Sequence, residues 1–475
     1  MTQQAQPTPQ PKPQTPPHTI AVVGGGYSGV MSAVNLLREG SRGIDICLIE
    51  PRPRPGRGLA YSIWDDSMLL NVPAGNMSAL ADDPAHFVSY CRELDPSLNG
   101  GSFVSRRIYG DYLEATLEQA KARSPHRLRR LHDEAIAVRP REPGAGFQVE
   151  LAGGTTLTAD QVVLACGFLG PQPLPFAQAL LGAPGYIENP WDFRAMDAVA
   201  PGAPVAIIGT GHTAIDALFR LTSLDDHRPV YLLSRHGLLP KAHRTLPQAP
   251  VPTGFPPYLE GVPASALGYL RAVRGEIERR QRLGQNWRDV LNELRPYTRG
   301  IWQRWPQAER RRFLTRLRPW WDVHRHRLAP LAAARLQAQL RSGRTRVLAG
   351  QITRMTPLAE GVEVSLRERT SGALNTLQVA AVVNCTGPDY DIDRARAPLI
   401  VQLREAGLIQ PDPLRLGLAL DDHYRPIGRR GDPLPGLFYV GPMLRARDWE
   451  AIAVPELRTH TRQLARQLLA TTRDE

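Results

Sequence analysis

Two short stretches carry the residue types that hold a dinucleotide. From Ile20 the chain reads IAVVGGGYSGVMSAVNLL, and from Val205 it reads VAIIGTGHTAIDALFR. Each is an apolar run, a glycine-rich turn and an amphipathic stretch. In the first, Gly24, Gly26 and Gly29 take the G-x-G-x-x-G spacing around Tyr27 and Ser28. In the second, Gly209 and Gly211 are followed by His212, Thr213 and then Ala214, an allowed variant of the third glycine. Glycines at this spacing make a tight turn, let the backbone approach a pyrophosphate and pack helix against strand. The helix start then offers unpaired N–H groups and partial positive charge to the phosphates.

The residues downstream differ in charge. Glu50 lies 26 residues after Gly24, at the end of the next strand, where a carboxylate suits a ribose diol. The same offset from Gly209 reaches Arg235, preceded by Ser234. A guanidinium and a hydroxyl suit a 2′-phosphate that a carboxylate would repel. An exposed arginine that merely follows a strand is the plainer alternative. The first site therefore reads as an FAD site, and the second as an NAD(P)H site that favours NADPH over NADH. Two dinucleotides are needed when one donates a hydride and the other receives it.

The elements that must position these turns alternate. The first turn sits in a βαβ unit, TIAVVGG to IDICLIE. A helix over 112–124 follows, then strands AIAVRP, GFQVEL and QVVLACG. A second βαβ unit runs from Pro204 to Arg235. Strands return at RVLAGQITRM and GVEVSLRER, and QVAAVVNCTG closes at Gly387. This echo predicts an α/β fold of two Rossmann-like dinucleotide-binding domains. The expected boundaries are a disordered Pro/Gln-rich tail over 1–17, an FAD domain over 18–175 and 386–475, and an NAD(P)H domain over 200–385. A helical insertion over 255–340 interrupts the latter. In it, Leu267, Leu270, Val273 and Ile277 share one helical face, as do Trp287, Val290, Leu291 and Leu294.

Composition narrows the class. The chain has 475 residues and a net charge of +12. Residues 260–330 hold sixteen arginines against seven carboxylates, and five of the eight tryptophans. That could serve anionic ligands or form solvated helix faces. No named nucleic-acid motif is present, and no apolar run approaches a membrane span, so neither partner is expected. Without a targeting block the cytoplasm is expected. Cys47, Cys91, Cys166 and Cys385 form no CxxC pair, which argues against a disulfide reductase and for buried free thiols. No GxSxG elbow marks a hydrolase. His324 and His326 are flanked by Arg325 and Arg327 and lack a third ligand, so no metal is expected. Oligomeric state is not set by the sequence.

The motifs GGGYSG (24–29), GRGLAYS (56–62), LLNVPAGNMSA (69–79), FVSRRIYGDYL (103–113), GTGHTAID (209–216), SRHGLLPKAHR (234–244), RPWWDVHRHRLAP (318–330) and WEAIAVPELR (449–458) resemble a bacterial FAD/NAD(P)-binding flavoprotein family. That family includes FAD-dependent urate hydroxylases and aspartate N-monooxygenases. The resemblance implies that NADPH reduces the flavin, which meets oxygen at C4a and passes one oxygen atom to an electron-rich, anionic small molecule. It implies that Asn71 and the Val72–Gly75 backbone face the flavin ring with free N–H groups. Arg106 or Arg107 would neutralise FAD phosphate, and Gly441 would approach the ribityl chain. Pro442 stands where many flavoproteins have Asp. Among substrates, a pocket of Trp320, Trp321, His324, His326, Arg445, Arg447 and Trp449 suits urate, which would become 5-hydroxyisourate. N-hydroxylation of an amino acid such as aspartate is the alternative. A reductase or oxidase without hydroxylation, and an adaptor that only binds FAD, are the others.

Overall fold

The computed structural model describes residues 17–40, 43–63, 65–142, 144–245 and 254–471. Apart from Pro17, the tail expected over 1–17 lies outside the described residues. Two parallel sheets form the frame. The first orders Leu437–Tyr439, Gln161–Leu164, His18–Val23, Ile44–Ile49 and Arg127–Leu131, all parallel. Its inner strands are β-branched and buried almost throughout, as a sheet covered on both faces requires. The helix Tyr27–Glu39 covers one face, packed by the closing helix Val454–Thr471.

The second sheet has seven strands. Val205–Ile208 pairs parallel with Val230–Ser234 on one side and Ala381–Asn384 on the other. Each half also carries a three-stranded antiparallel meander between its βαβ unit and its returning strand. In the first half it stands apart as Ala135–Pro140, Phe147–Leu151 and Thr156–Ala159. In the second, the 14-residue strand Thr345–Leu358 spans both pairings and fuses the meander to the parallel sheet. The expected duplication is therefore visible strand by strand.

Two boundaries differ from the sequence reading. The strand Tyr186–Ile187 already pairs parallel with Ala381–Asn384, so the second unit begins before 200. Two residues are too few to leave a hydrophobic period. The helix expected over 112–124 runs Arg106–Arg123, started by Ser105, whose side chain accepts from the Arg107 N–H. Helices between Ala266 and Arg341 form the insertion, with an aromatic cluster of its own. It docks on the C-terminal segment, where Trp302 stacks on Trp449 at 4.7 Å between centroids and donates from Nε1 to the Ala446 carbonyl. Of the face expected on its first helix, Leu267 is instead exposed. No described helix is long and apolar enough to cross a membrane.

Candidate dinucleotide and substrate sites

The two glycine turns are built alike. Gly24 and Gly209 have φ of +104° and +119°, which disfavours any side chain. A Cβ on Gly24 would run into the Ala165 carbonyl, and one on Gly209 into the Cys385 carbonyl. Those carbonyls end the neighbouring strands, within the matching triplets Ala165-Cys166-Gly167 and Cys385-Thr386-Gly387. The middle glycines are different. A Cβ on Gly26 would meet only the Cα of Gly58, at 3.7 Å, and one on Gly211 would meet nothing. The turns are thus locked on the protein side and open on the other, which is the cradle a pyrophosphate needs.

Glu50 is buried beside the first turn. Its Oε2 accepts from the Gly25 N–H at 2.7 Å and its Oε1 from the Arg52 N–H at 3.1 Å. Ser28 sits at the start of the same helix, and a Cβ on Gly441 would come within 3.8 Å of its Oγ. Gly441 therefore lies over the first helix N-terminus. At the second turn, Ser234 Oγ accepts from Thr210 Oγ1 and the Gly237 N–H. Arg235 beside it is exposed and forms no ion pair among the described residues. It is a cation available to a phosphate. His212 opens the second helix with Nε2 3.2 Å from the Arg327 carbonyl, and the Thr213 carbonyl accepts from Cys385 Sγ. Gly387 has φ of +104°, and its carbonyl accepts from the Gln172 N–H, so the two linkers between the halves run side by side.

Two expectations at the flavin loop change. The N–H of Ala74 is taken by the Ser102 carbonyl and that of Gly75 by the Gly100 carbonyl. Gly75 is needed because a Cβ would press on Gly100 at 3.0 Å, not because its N–H is free. Asn71 is held through its carbonyl, which accepts from His243 Nε2 at 3.0 Å. Arg106 is not a free cation for FAD phosphate. It is mostly shielded and pairs with Asp216 on the second fingerprint helix, at 2.8 Å, and so ties the two halves together. Arg107 pairs with Asp66 and Asp111.

Between the halves lies a cavity of about 390 Å³. The loop Leu70–Pro73, Arg106, His243, the insertion residues Asn292, Arg295 and Arg325–Arg327, and Ile452–Val454 line it. Its arginines are not equivalent. Arg106 has Asp216, Arg295 has Glu456 at 2.8 Å, and Arg325 has Glu450 at 2.9 Å. Arg327 has no carboxylate partner among the described residues. Only 5% exposed, it donates to Asn292 Oδ1 at 2.6 Å, while its Nε has no acceptor. Burial, then the neighbouring Arg325, lower its pKa to about 10, which still leaves it charged at neutral pH. Burial pushes His243 down to about 4 and His326 to about 3, so both are neutral there. The cavity thus offers one unneutralised guanidinium and neutral imidazoles, a setting for a ligand with one anionic group.

The seven residues expected to form one substrate pocket separate. His326 lines this polar cavity, whereas Trp320, Trp321, His324 and Trp449 line a different one inside the insertion. Arg445 lies over the Trp449 ring at 4.0 Å, and Arg447 pairs with Asp448, so neither lines either cavity. The reason is helical geometry. His324 and His326 flank the end of the helix Arg318–Arg325, and two positions along a helix lie on nearly opposite faces. Arg327 and His243 were missed as a pair, because nothing local in the sequence says which arginine lacks a counter-ion.

Comparison with known proteins agrees with this frame. Residues 21–169 match the family model described as FAD-NAD(P)-binding. A Baeyer-Villiger monooxygenase of Streptomyces coelicolor is 27% identical over 229 residues, which are 48% of this chain and 40% of that protein. The chain thus spans less than half the length of this curated relative. The reduced form of ornithine hydroxylase from Pseudomonas aeruginosa superposes with a TM-score of 0.66 at 16% identity, covering 96% of this chain and 100% of that one. The ornithine N-hydroxylase of Kutzneria sp. 744, solved with reduced FAD, NADP+ and L-ornithine, gives 0.64 at 15% identity, covering 96% and 100%. At such identities the structures show a shared fold. The chain is an α/β protein of two Rossmann-like units, of which residues 21–169 are similar to the FAD-NAD(P)-binding family.

Proposed function

We propose that the chain is an FAD-dependent, NADPH-using monooxygenase that hydroxylates the nitrogen of a small amine bearing a carboxylate. The observation that carries this is Arg327, a buried guanidinium without a carboxylate partner in the cavity between the two dinucleotide units. FAD supplies, once reduced, the two-electron reactivity toward oxygen that no side chain has. The chain's own residues bind and orient. The groove beside Gly26 and Gly58 takes the pyrophosphate of FAD, and Glu50 takes its ribose. Ser234 and Arg235 hold the 2′-phosphate of NADPH. Arg327 anchors the substrate carboxylate, which fixes where the amine lies. Ile452, Ala453 and Val454 close one wall with apolar groups and limit water.

The preference for urate lapses with its premise. It required tryptophan faces inside the pocket of the anion-binding group; Trp287 lies 5.9 Å from the Arg327 guanidinium, but no tryptophan lines the polar cavity. The N-hydroxylating relatives favour an amine, with aspartate or another amino acid as the class. The test is NADPH consumption by the FAD-loaded protein with oxygen, offering aspartate, ornithine, lysine and urate in turn. Hydroxylamine formed about one-to-one with NADPH consumed is the expected result. Stoichiometric loss of urate absorbance without hydroxylamine, or a flavin that NADPH does not bleach, would overturn the reading.

A further inference from the structure

The helical insertion, with Trp449 of the C-terminal segment, lines a second cavity that the reaction above does not use. It measures about 650 Å³, a size that takes a small organic ligand. Leu270, Val273 and Ile277 of the helix Ala266–Arg282 line it. Their spacing lays them on one helical face. None of the three is buried, so the face that a helix ordinarily covers with protein is turned to the cavity. Across from it, the π-helical turn Phe313–Leu317 contributes both its end residues. Such turns are rare and concentrate at functional sites.

The polar side chains of this cavity are Tyr269, Gln281, Thr298, His324 and one cation, Arg274, beside its tryptophans. Arg274 lies on the same helix face, exposed and without an ion-pair partner among the described residues. Arg271 and Arg282 nearby in sequence are also exposed and unpaired among the described residues. No carboxylate lines the cavity. A hydrocarbon interior with a cationic edge matches one ligand class by charge and polarity.

We propose that the insertion is a binding site for an anionic amphiphile, a medium- to long-chain carboxylate, with the chain inside and the carboxylate at Arg274. The site is distinct from the polar cavity, because the two share no lining residue although both use the helix Trp287–Leu294. Calorimetric titration of FAD-loaded protein with carboxylates of eight, ten and twelve carbons is the test. Affinity should tighten about fourfold per added methylene. Ile277→Trp, or Val273→Trp should the first not fold, narrows the cavity at its apolar face. It should weaken uptake of the longest chain most, while leaving FAD content and NADPH oxidation as in the parent. Arg274→Ala should weaken dodecanoate about two- to fivefold and leave dodecanol unchanged. No saturable uptake at any length, equal uptake by the narrowed variant, or equal affinity for dodecylammonium would each overturn the proposal. Because uptake is read without turnover, its failure is distinguishable from failure of the monooxygenase reading.

Discussion

Replacing Arg327 with methionine separates a cation kept for a ligand from one kept for the fold. In the protein as it stands, Arg327 is 5% exposed, has one side-chain acceptor in Asn292, and feels the repulsion of Arg325, Arg288, Arg244 and Arg295. An unneutralised buried cation is a cost to folding. Methionine removes that cost, fills most of the space, and loses the bond to Asn292 and the cation–π contact of the guanidinium with the Trp287 ring, 5.9 Å from its centroid. The thermal midpoint should therefore hold or rise. Binding should move the other way. Truncating one partner of a buried charge pair costs about 2–5 kcal/mol, which is about 30- to several-thousand-fold in kcat/KM for a carboxylate-bearing amine. An amine of matched length without the carboxylate should react poorly with the parent and no worse with the variant. The assay is NADPH-coupled hydroxylamine formation, with flavin content and thermal unfolding measured on the same samples. A midpoint that falls by several degrees, together with an equal loss for both amines, would refute the argument and make Arg327 a structural residue.

Other outcomes follow from the same geometry. Gly26→Val should fold and lose FAD, because its Cβ meets only Gly58 at 3.7 Å, whereas Gly24→Val should not accumulate as folded protein, because its Cβ meets the Ala165 carbonyl; circular dichroism and flavin absorbance distinguish them. Arg235→Ala should raise the NADPH requirement about 10- to 150-fold and leave NADH nearly unchanged, since one charge-assisted bond contributes roughly 1.5–3 kcal/mol; equal effects in steady-state kinetics would remove Arg235 from the phosphate site. Burial holds His460, 5% exposed, neutral down to about 4 instead of the ordinary 6.5. A depressed histidine favours the fold above 6.5, and the advantage is lost as pH falls toward 4, at up to about 3 kcal/mol. His460→Gln should flatten the fall in thermal midpoint across that window, and an unchanged slope would contradict it.

What the sequence discloses is what local rules govern. Gly24 and Gly209 are legible because a turn of positive φ against a strand carbonyl admits almost nothing else. Glu50 and Arg235 are legible because they stand at one offset from those turns with opposite charge. The faces of Leu270, Val273 and Ile277 and of Trp287, Leu291 and Leu294 are legible because helical period is local, although what they face is a cavity. The rest depends on packing between distant segments. Arg106 reads as a phosphate ligand until Asp216, 110 residues away, is brought against it. The Gly75 N–H reads as free until Gly100 folds over it. Trp449 and Trp320 belong together, but His326 does not join them, because a helix turns one end of RPWWDVHRHR toward each cavity.

The duplicated plan explains why the polar cavity lies where no single motif sits. Each half ends its glycine turn against its own returning strand, and both turns leave an open edge on the other side. For one dinucleotide to reduce the other, the halves must be held at a fixed approach. Arg106 on Asp216 and His243 on the Asn71 carbonyl are cross-links between them, the first an ion pair with both side chains nearly buried. Residues at such a seam are chosen for the partner they meet, not for a local pattern. The insertion adds Arg327 and its neighbours to that seam from a third direction. On the proposed reading, chemistry is set by the seam and the insertion, while the two fingerprints set which dinucleotides arrive.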